Sequence, residues 1–259
     1  ANDGIYNISA SGPVKLWTPP AEIDMSDPAN LAFFITYVQT DYPADRYILS
    51  IPNHGGGYRD VFGVRGILYD DHPSAHLTIP DLGTTLAAGG IHFDLVYMDA
   101  CLMDMAEVGY EIRSSVNVLV ASEEITYGGD TTPYKNLVLW LKAHPTAPAA
   151  DFGEQIVNGY MGNVGPASNQ EMAAVDLSHM PAVATAMDNL GDVLITNMPG
   201  WQSDILAAGS ATQRYSSTDF ADIVDFTNEL DARISNPQLQ AATASVRTAV
   251  SQAVLSEGH

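Results

Sequence analysis

The sequence contains few basic residues. Lys and Arg number 10 against 31 Asp and Glu, which gives a formal net charge of −21 at pH 7. Binding to nucleic acids or to anionic membranes needs clustered cations, so this charge argues against both classes of function. The excess of carboxylates attracts cationic partners or substrates over long range, although solubility alone is the simpler explanation.

Cysteine and long apolar runs are also scarce. Cys101 is the only cysteine among the 259 residues, so the chain forms neither an internal disulfide nor a cysteine-rich zinc site. A lone cysteine is either a small buried hydrophobe or a nucleophile. No apolar stretch approaches the roughly 20 residues of a membrane span, and the first residues lack the basic and apolar regions of a signal peptide. We therefore expect a cytoplasmic protein or a processed chain.

The rest of the sequence alternates between apolar strands and helical segments. Buried strands are predicted over Tyr47–Ile51, Phe93–Met98 and Val116–Ala121, and Asp27 followed by Pro28 is typical of a helix start. Apolar residues at helical spacing predict further helices near 79–90, 134–143, 151–162, 179–195, 219–233 and 237–254, and one more strand over 171–177. This alternation predicts an α/β fold with a mostly parallel central sheet and a helix-rich C-terminal half. Because no repeat or linker is visible, we expect a single domain over residues 1–259.

A histidine and the cysteine follow two of these predicted strands. The stretch NHGGG places His54 directly before three glycines, just beyond the first strand. Cys101 follows the next major strand, where the helical period of the following residues predicts the start of a helix. The carboxyl ends of parallel strands lie at the same edge of a sheet, and the interval between the two residues holds a loop, a helix and a return strand. We therefore expect the two side chains to lie close together.

This pairing would supply the chemistry of a thiol nucleophile. At a helix N-terminus the Cys101 thiol would ionise more readily, and a nearby imidazole can stabilise the thiolate or take and return a proton. The amides of Gly55 and Cys101 would be the donors of an oxyanion hole, since no side chain intervenes at the glycine. The alternatives are a loop histidine at an ordinary turn and a buried, inert thiol.

Four motifs together resemble the clostripain family of cysteine peptidases: YILSIPNHGGG, YMDACLM, EVGYEI and VLVASEE. A weaker resemblance runs from EIDMSDPANL through AAVDLS to DFADIVDFTNEL and so extends over most of the chain. The resemblance implies a caspase-like α/β/α sandwich. It also implies that His54 is the general base and acid, Cys101 the nucleophile and Gly55 an oxyanion donor.

The same resemblance implies cleavage after Arg or Lys, with an acidic residue at the floor of the specificity pocket. Asp99 matches the family's acid beside the nucleophile, and Asp130 in GGDTTPY is a second candidate. A buried carboxylate favours a cationic guest, and Arg suits a bidentate contact better than Lys. The alternatives are a helix N-cap for Asp99 and plain loop solubility for Asp130. We expect Ser122, Glu123 and Glu124 to line the pocket through their backbone, with their acids facing solvent.

The sequence departs from the family pattern in three places. Residues 1–27 show one short strand at most, no strand is predicted beyond the last helix, and Thr131 and Thr132 stand where the family has an aromatic residue. The first two differences predict a chain trimmed at one or both ends, or a shortened homologue. The third leaves open a preference for another basic residue, or for a non-basic one.

Maturation and metal dependence are two further expectations from the resemblance. Self-cleavage between the catalytic residues would fall at Arg59 or Arg65, the basic residues in that interval. Calcium would take oxygen ligands from Asp70, Asp71 and the acids of the 122–130 loop, although no EF-hand spacing is present. The thiol chemistry itself needs no cofactor.

Three functions follow from these observations. The first is a cysteine endopeptidase that cleaves peptide or protein substrates after basic residues. The second is a catalytically silent or latent relative that binds basic peptides, and the third is a non-peptidase thiol amidase on the same scaffold. The intact pair of His54 and Cys101 favours the peptidase, since a binding module needs neither residue. The resemblance also implies a bacterial protein that is secreted or belongs to the cell envelope.

Overall fold

The structure is a computed structural model that describes residues 3–58, 66–72, 74–127, 133–165, 169–216 and 218–259. The strands in these residues are β1 (Ile5–Ser9), β2 (Gly12–Trp17), β3 (Ile48–Pro52), β4 (Ile67–Asp71), β5 (Ser74–Leu77), β6 (Phe93–Asp99), β7 (Val116–Ala121), β8 (Met172–Asp176) and β9 (Val254–Gly258). The α-helices are α1 (Pro28–Asp41), α2 (Ile79–Ala88), α3 (Ala106–Ile112), α4 (Tyr134–Ala143), α5 (Ala149–Val164), α6 (Met180–Ala211), α7 (Ile223–Arg233) and α8 (Pro237–Ala253).

Five strands form the central sheet, in the order β3-β6-β7-β8-β9. β3, β6 and β7 run parallel, as the sequence predicts, whereas β8 and β9 add antiparallel pairs at one side. Val254–Gly258 is therefore a strand after the last helix, and the expectation that none follows is wrong. Its apolar pattern is short and only half-buried, so its pairing with β8 defines it rather than its own sequence.

Helices cover both faces of this sheet, which gives an α/β/α sandwich. Along β6, Val96 and Met98 pack in the core beneath α1–α3 and α6–α8, whereas Leu95 and Tyr97 pack in the opposite core with α4 and α5. Because both faces of β6 are buried, its sequence is a nearly continuous apolar run, as is typical of strands inside parallel sheets. The predicted fold class is thus confirmed.

The helices begin where the sequence supplies side-chain caps. Asp27 accepts a hydrogen bond from the Ala29 amide, with Pro28 in the first turn, as predicted. Asn236 caps α8 in the same way, directly before Pro237. Each cap satisfies amides that have no partner inside the helix, which fixes where the helix starts.

Three regions differ from the sequence-based expectation. Residues 1–27 contain an antiparallel hairpin of β1 and β2 rather than one short strand. A second hairpin, β4 and β5, lies in a region for which no strand is predicted. The helix predicted to end at 195 continues as α6 to Ala211, through Pro199. The β1–β2 hairpin is mostly exposed, so it carries little of the apolar periodicity on which the predictions depend.

Candidate active site

The sheet edge at the carboxyl ends of β3 and β6 brings the predicted catalytic residues together. The parallel register pairs Pro52 with Asp99, the last residues of the two strands. The Asn53 amide then donates to the Asp99 carbonyl over 3.3 Å, so the chain leaves both strands side by side. His54 and Cys101 therefore occupy equivalent positions, each the second residue beyond its strand.

Asn53 fixes the backbone that carries the histidine. Its Oδ1 accepts hydrogen bonds from the His54 amide at 2.6 Å and the Tyr69 amide at 2.9 Å, and its Nδ2 donates to the Tyr69 carbonyl at 3.3 Å. The His54 imidazole is exposed and meets the Tyr69 ring edge-on, with centroids 6.3 Å apart. Sequence reasoning missed both neighbours, although the Asn of the NHGGG stretch is a signal that points to the first of them.

Gly55 is the point at which the two loops touch. A Cβ at this position would overlap with the Cys101 carbonyl oxygen and lie 2.8 Å from Cγ of Met103. A glycine directly after the histidine is therefore required by space. The next amide, of Gly56, donates to the Gly66 carbonyl over 2.9 Å. Gly55 and Ile67 form an antiparallel bridge in which the Gly56 amide is the one that faces the partner segment, so the Gly55 amide points away from it.

Cys101 lies in a loop and not at the start of a helix. Residues 100–105 connect β6 to α3, whose N-cap is Met105. The prediction that a helix begins beside the cysteine is wrong, because Leu102 adopts a left-handed φ of 60°, which a right-handed helix cannot contain. The α3 macrodipole acts only near its first turn, so it is not the feature that would activate the thiol.

The loop after β7 holds the cysteine loop through backbone hydrogen bonds. The Leu102 amide donates to the Glu124 carbonyl at 3.1 Å. The amides of Met103 and Asp104 donate to the Ser122 carbonyl at 2.8 and 3.0 Å. The left-handed turn after the cysteine is thus held in place by residues that follow the next strand of the sheet.

The Cys101 thiol is partly buried and contacts Thr126. Sγ lies 3.7 Å from the Thr126 hydroxyl and 4.0 Å from its carbonyl oxygen. Within the described ranges, Sγ makes no hydrogen bond to His54, and no protein acceptor takes the Cys101 amide. Sequence reasoning missed Thr126, which the adjacent Ser-Glu-Glu segment could have indicated.

Asp99 is partly buried at the end of β6, beside a tyrosine. The Tyr134 hydroxyl donates to its carboxylate at 2.8 Å and lies 3.4 Å from the Ser50 hydroxyl. Burial, and then the hydrogen bond to the carboxylate, raise the pKa of Tyr134 above its ordinary value, so the phenol stays protonated. The N-cap alternative for Asp99 is wrong, because Met105 precedes α3 and no side chain caps that helix.

Ser122 and Glu123 have different surroundings. The buried Ser122 hydroxyl donates to the Glu124 carbonyl at 3.2 Å and accepts from the Glu124 amide at 3.0 Å. Glu123 does not face solvent as expected, because its carboxylate is part-buried and accepts a hydrogen bond from Tyr215. Burial and the neighbouring Asp104 raise the pKa of Glu123 to about 9.

The remaining predicted residues lie partly within and partly outside the described ranges. Asp130, Arg59, Arg65, Thr131 and Thr132 lie outside the described residues. The Asp70 carboxylate accepts the amides of Met25 and His72 at 2.8 and 2.9 Å. Among the described residues, no group of three or more His, Cys, Asp or Glu side chains could hold a metal ion. Because residues 128–130 of the predicted ligand set lie outside the described residues, calcium dependence stays a prediction.

Two sequence comparisons connect the chain with known proteins. The model of the clostripain family matches residues 1–258. Clostripain from Hathewaya histolytica is 30% identical over 210 residues, which cover 67% of this chain and 39% of the relative. The chain therefore spans about two fifths of the length of that relative.

Solved structures share the fold. A secreted C11 cysteine protease from Bacteroides thetaiotaomicron, in complex with an irreversible peptide inhibitor, gives a TM-score of 0.71 at 22% identity, over 98% of this chain and 69% of that one. An inactive zymogen C11 protease from Parabacteroides distasonis gives 0.72 at 20% identity, over 98% and 68% of the two chains. Because the family model matches nearly every residue, the chain belongs to the clostripain family of cysteine peptidases.

Proposed function

We propose that the chain is a cysteine endopeptidase with Cys101 as nucleophile and His54 as general base and acid. The observation that carries this proposal is the register of β3 and β6, which sets both residues just beyond the paired strand ends. The contact of Gly55 with the Cys101 carbonyl joins the two loops at that edge. Membership of the clostripain family supports the same chemistry.

The reaction proceeds through an acyl-enzyme. The His54 imidazole takes the thiol proton, and Sγ of Cys101 attacks the peptide carbonyl carbon to form a C–S bond. The amides of Gly55 and Cys101 stabilise the resulting oxyanion. The imidazolium protonates the amine as the C–N bond breaks. Water, deprotonated by the imidazole, then attacks the thioester, the C–S bond breaks, and the thiol regains its proton.

The contact between Sγ and Thr126 is consistent with this mechanism. Hydrogen bonds between catalytic groups are often long in the absence of substrate and tighten in the substrate complex. Rotation of Cys101 about χ1 changes the direction of Sγ without moving the backbone. Because His54 is exposed at the same edge, a bound peptide reaches both groups.

Asp99 is the residue that we propose for recognition of a basic side chain. Asp99 stands two residues before the nucleophile in the sequence. The Tyr134 hydroxyl donates a hydrogen bond that orients the Asp99 carboxylate. A partly buried carboxylate binds a cation more strongly than an exposed one, and the planar guanidinium of Arg makes two parallel hydrogen bonds where Lys makes one. We therefore propose cleavage after Arg in preference to Lys, with Asp130 as the second acidic candidate.

Fluorogenic peptides with Arg, Lys or Ala before the reporter test the activity. We expect turnover of the Arg peptide above the Lys peptide, and none with Cys101→Ala. Because Cys101 is the only cysteine, iodoacetamide modifies one thiol, and activity should fall in step with its modification. Turnover that survives the alanine substitution would refute the assignment. Parallel series with added calcium and with EDTA test the metal dependence.

The contact of the thiol with Thr126 favours one alternative, a latent or silent relative that binds basic peptides. A wild-type protein that is alkylated rapidly but cleaves nothing would indicate the latent form. An inert thiol together with binding of a basic peptide would indicate a binding module. Cleavage of peptides after basic residues would exclude the non-peptidase amidase.

Self-cleavage and secretion complete the proposal. The Parabacteroides distasonis relative is described as an inactive zymogen and the Bacteroides thetaiotaomicron relative as secreted. We propose activation by cleavage after Arg59 or Arg65, which mass spectrometry of fresh and incubated protein would detect as two fragments.

We also propose secretion or a place in the bacterial cell envelope. In the described ranges, no helix is both long and apolar enough to cross a membrane.

A further inference from the structure

The connection between α6 and α7, residues 212–216 and 218–222, contacts the histidine loop and the loop after β7, which holds the cysteine loop. On the histidine side, a Cβ at Gly57 would lie 2.8 Å from Cζ of Phe220, and the rings of Phe220 and Tyr58 are 6.0 Å apart. On the cysteine side, the Tyr215 hydroxyl donates to the Glu123 carboxylate. Phe220 and Tyr215 are both buried. One segment far along the chain thus packs against the loop of the base and against the loop whose backbone holds the cysteine loop.

The cysteine side of this contact is a network of hydrogen bonds. The Tyr215 hydroxyl, which donates to Glu123, also lies 3.2 Å from the Asp222 carboxylate. Asp222 in turn caps α7. The Ser216 amide donates to the Glu124 carboxylate at 3.0 Å, and its hydroxyl donates to the same group. Both acids after Ser122 are therefore hydrogen-bonded to the α6–α7 connection, Glu123 in a part-buried contact and Glu124 in an exposed one.

The two acids belong to the loop that sets the conformation after the nucleophile. Leu102 has a left-handed φ, which costs free energy in a residue with a side chain. Its amide is held by the Glu124 carbonyl at 3.1 Å. A shift of the 122–124 backbone would release that turn and change the direction of the Cys101 amide. The conformation of the nucleophile therefore depends on where Glu123 and Glu124 are held.

We propose that Glu123 and Tyr215 are positioning residues, which act together to hold the cysteine loop in its reactive conformation. This inference rests on the proposed role of Cys101 as the nucleophile. This role requires no contact between either side chain and the substrate. Their hydrogen bond transmits the position of the α6–α7 connection to the 122–124 backbone and from there to the oxyanion donor of Cys101.

The hydrogen-bond network around Glu123 depends on the protonation of its carboxyl group. Four groups face the Glu123 carboxyl: Asp104 from the cysteine loop, Glu171 before β8, and Tyr215 and Asp222 from the α6–α7 connection. Burial raises the pKa of Glu123 to about 9 and that of Glu171 to about 7, and it raises the pKa of Asp104. Loss of the Glu123 proton would place a charge among these acids, and their repulsion would open the network. We therefore expect the positioning to fail as the pH rises through about 9.

Two variants and two matched controls test the proposal. Tyr215→Phe removes the hydroxyl and keeps the ring, and Glu123→Gln keeps a neutral hydrogen-bonding group at every pH. Tyr110→Phe and Glu154→Gln make the same changes at exposed positions on α3 and α5. The measurements are kcat and KM for the Arg peptide from pH 6 to 10, with unfolding monitored at each pH so that only folded protein is compared.

A positioning role predicts changes in kcat and in its pH dependence that a merely structural role does not predict. For Tyr215→Phe we expect kcat to fall about tenfold with KM within about twofold, the magnitude expected for partial loss of an oxyanion donor. For Glu123→Gln we expect kcat at neutral pH to fall less than it does in Tyr215→Phe. The ratio of its kcat/KM to that of the wild type should rise at least threefold between pH 8 and 10. A ratio that stays flat, or a Tyr215→Phe variant that changes only KM, would overturn the inference.

The reactivity of the Cys101 thiol distinguishes a failure of the positioning role from a failure of the nucleophile assignment. The rate of alkylation of Cys101 by iodoacetamide is measured against pH in the same proteins and needs no turnover. In Tyr215→Phe we expect the alkylation rate at pH 8 to differ at least threefold from that of the wild type, whereas Tyr110→Phe should leave it unchanged. Activity that survives Cys101→Ala would refute the nucleophile. An inactive Cys101→Ala together with unchanged alkylation and kcat in Tyr215→Phe would refute only the positioning.

Discussion

Gly55 packs directly against the carbonyl oxygen of Cys101, so closely that no β-carbon fits between them. This contact joins the loop that carries the proposed base to the loop that carries the proposed nucleophile. It also gives the physical reason for placing a titratable imidazole beside the most pliable backbone of the chain, because a side chain at the position after His54 would push the two loops apart. The parallel register of β3 and β6 places the two loops side by side. Gly55 then lets their backbones come into direct contact.

The first prediction concerns this contact. Gly55→Ala would force its Cβ into the Cys101 carbonyl and the Met103 side chain, and overpacking of this kind costs about 1–3 kcal/mol. We expect kcat/KM to fall about 100-fold, because a displacement of about 1 Å at a catalytic group has an effect of that size. Gly162→Ala in α5 is the control, since a Cβ at that position would meet nothing within 4 Å. It should stabilise the protein by about 0.5–1 kcal/mol and leave activity unchanged. Equal activity of the two variants would contradict the role of the contact.

A second prediction concerns the side chain that anchors the histidine loop. Asn53→Ala removes two acceptor contacts and one donor contact that tie His54 to Tyr69. We expect kcat to fall about tenfold and the free energy of unfolding to fall by about 1–3 kcal/mol, the cost of leaving partly buried backbone groups without partners. Asn53→Asp keeps the two acceptor contacts and should retain more activity than Asn53→Ala. Steady-state kinetics and urea unfolding measure both effects, and an order of activity reversed between the two variants would disprove the anchoring.

The third prediction concerns specificity. Asp99→Asn removes the negative charge beside the nucleophile while keeping an acceptor for Tyr134. Charge-assisted hydrogen bonds contribute about 1.5–3 kcal/mol, so kcat/KM for the Arg peptide should fall about 10- to 100-fold. The Ala peptide, which makes no such contact, should be cleaved as before. Asp151→Asn on the exposed start of α5 is the control for loss of charge. A parallel fall for both peptides would show that Asp99 serves catalysis or folding and not recognition.

Local sequence predicted those parts of the site that belong to buried strands and to short motifs. The strands β6 and β7 have apolar runs that their two packed faces require, whereas β3 at the sheet edge alternates buried and exposed residues. His54 and Cys101 each lie two residues beyond the end of a strand. The turn at Leu102 could not be predicted in this way, because its φ of 60° depends on backbone acceptors in a loop after the next strand. Apolar periodicity instead suggested a helix that begins at the cysteine.

Residues brought together from distant segments were also beyond sequence reasoning. Tyr215 and Glu123 are separated by 92 residues and share no motif, so only the tertiary fold places one beside the other. The same holds for β9, whose exposed alternation becomes a strand because β8 is there to pair with it. The acids after Ser122 look like a solvated loop in the sequence, but both accept hydrogen bonds from the α6–α7 connection, and the contact of Glu123 is part-buried. Acidic composition alone does not distinguish a covered carboxylate from an exposed one.

The last prediction concerns stability against pH. The folded-state pKa values of Glu123 and Glu171 are raised to about 9 and about 7, chiefly by burial, whereas an unfolded Glu titrates near 4.3. Between these limits the folded protein holds protons that the unfolded chain has released, so the free energy of unfolding falls as pH rises. We expect urea unfolding to give the highest stability near pH 5, with a decline towards pH 9. Glu123→Gln should flatten the decline above pH 7, whereas Glu154→Gln, which removes the same formal charge at an exposed position, should keep the wild-type slope. A stability that rises from pH 5 to 9 would mean that the carboxyl groups behind Cys101 are ionised in the folded protein.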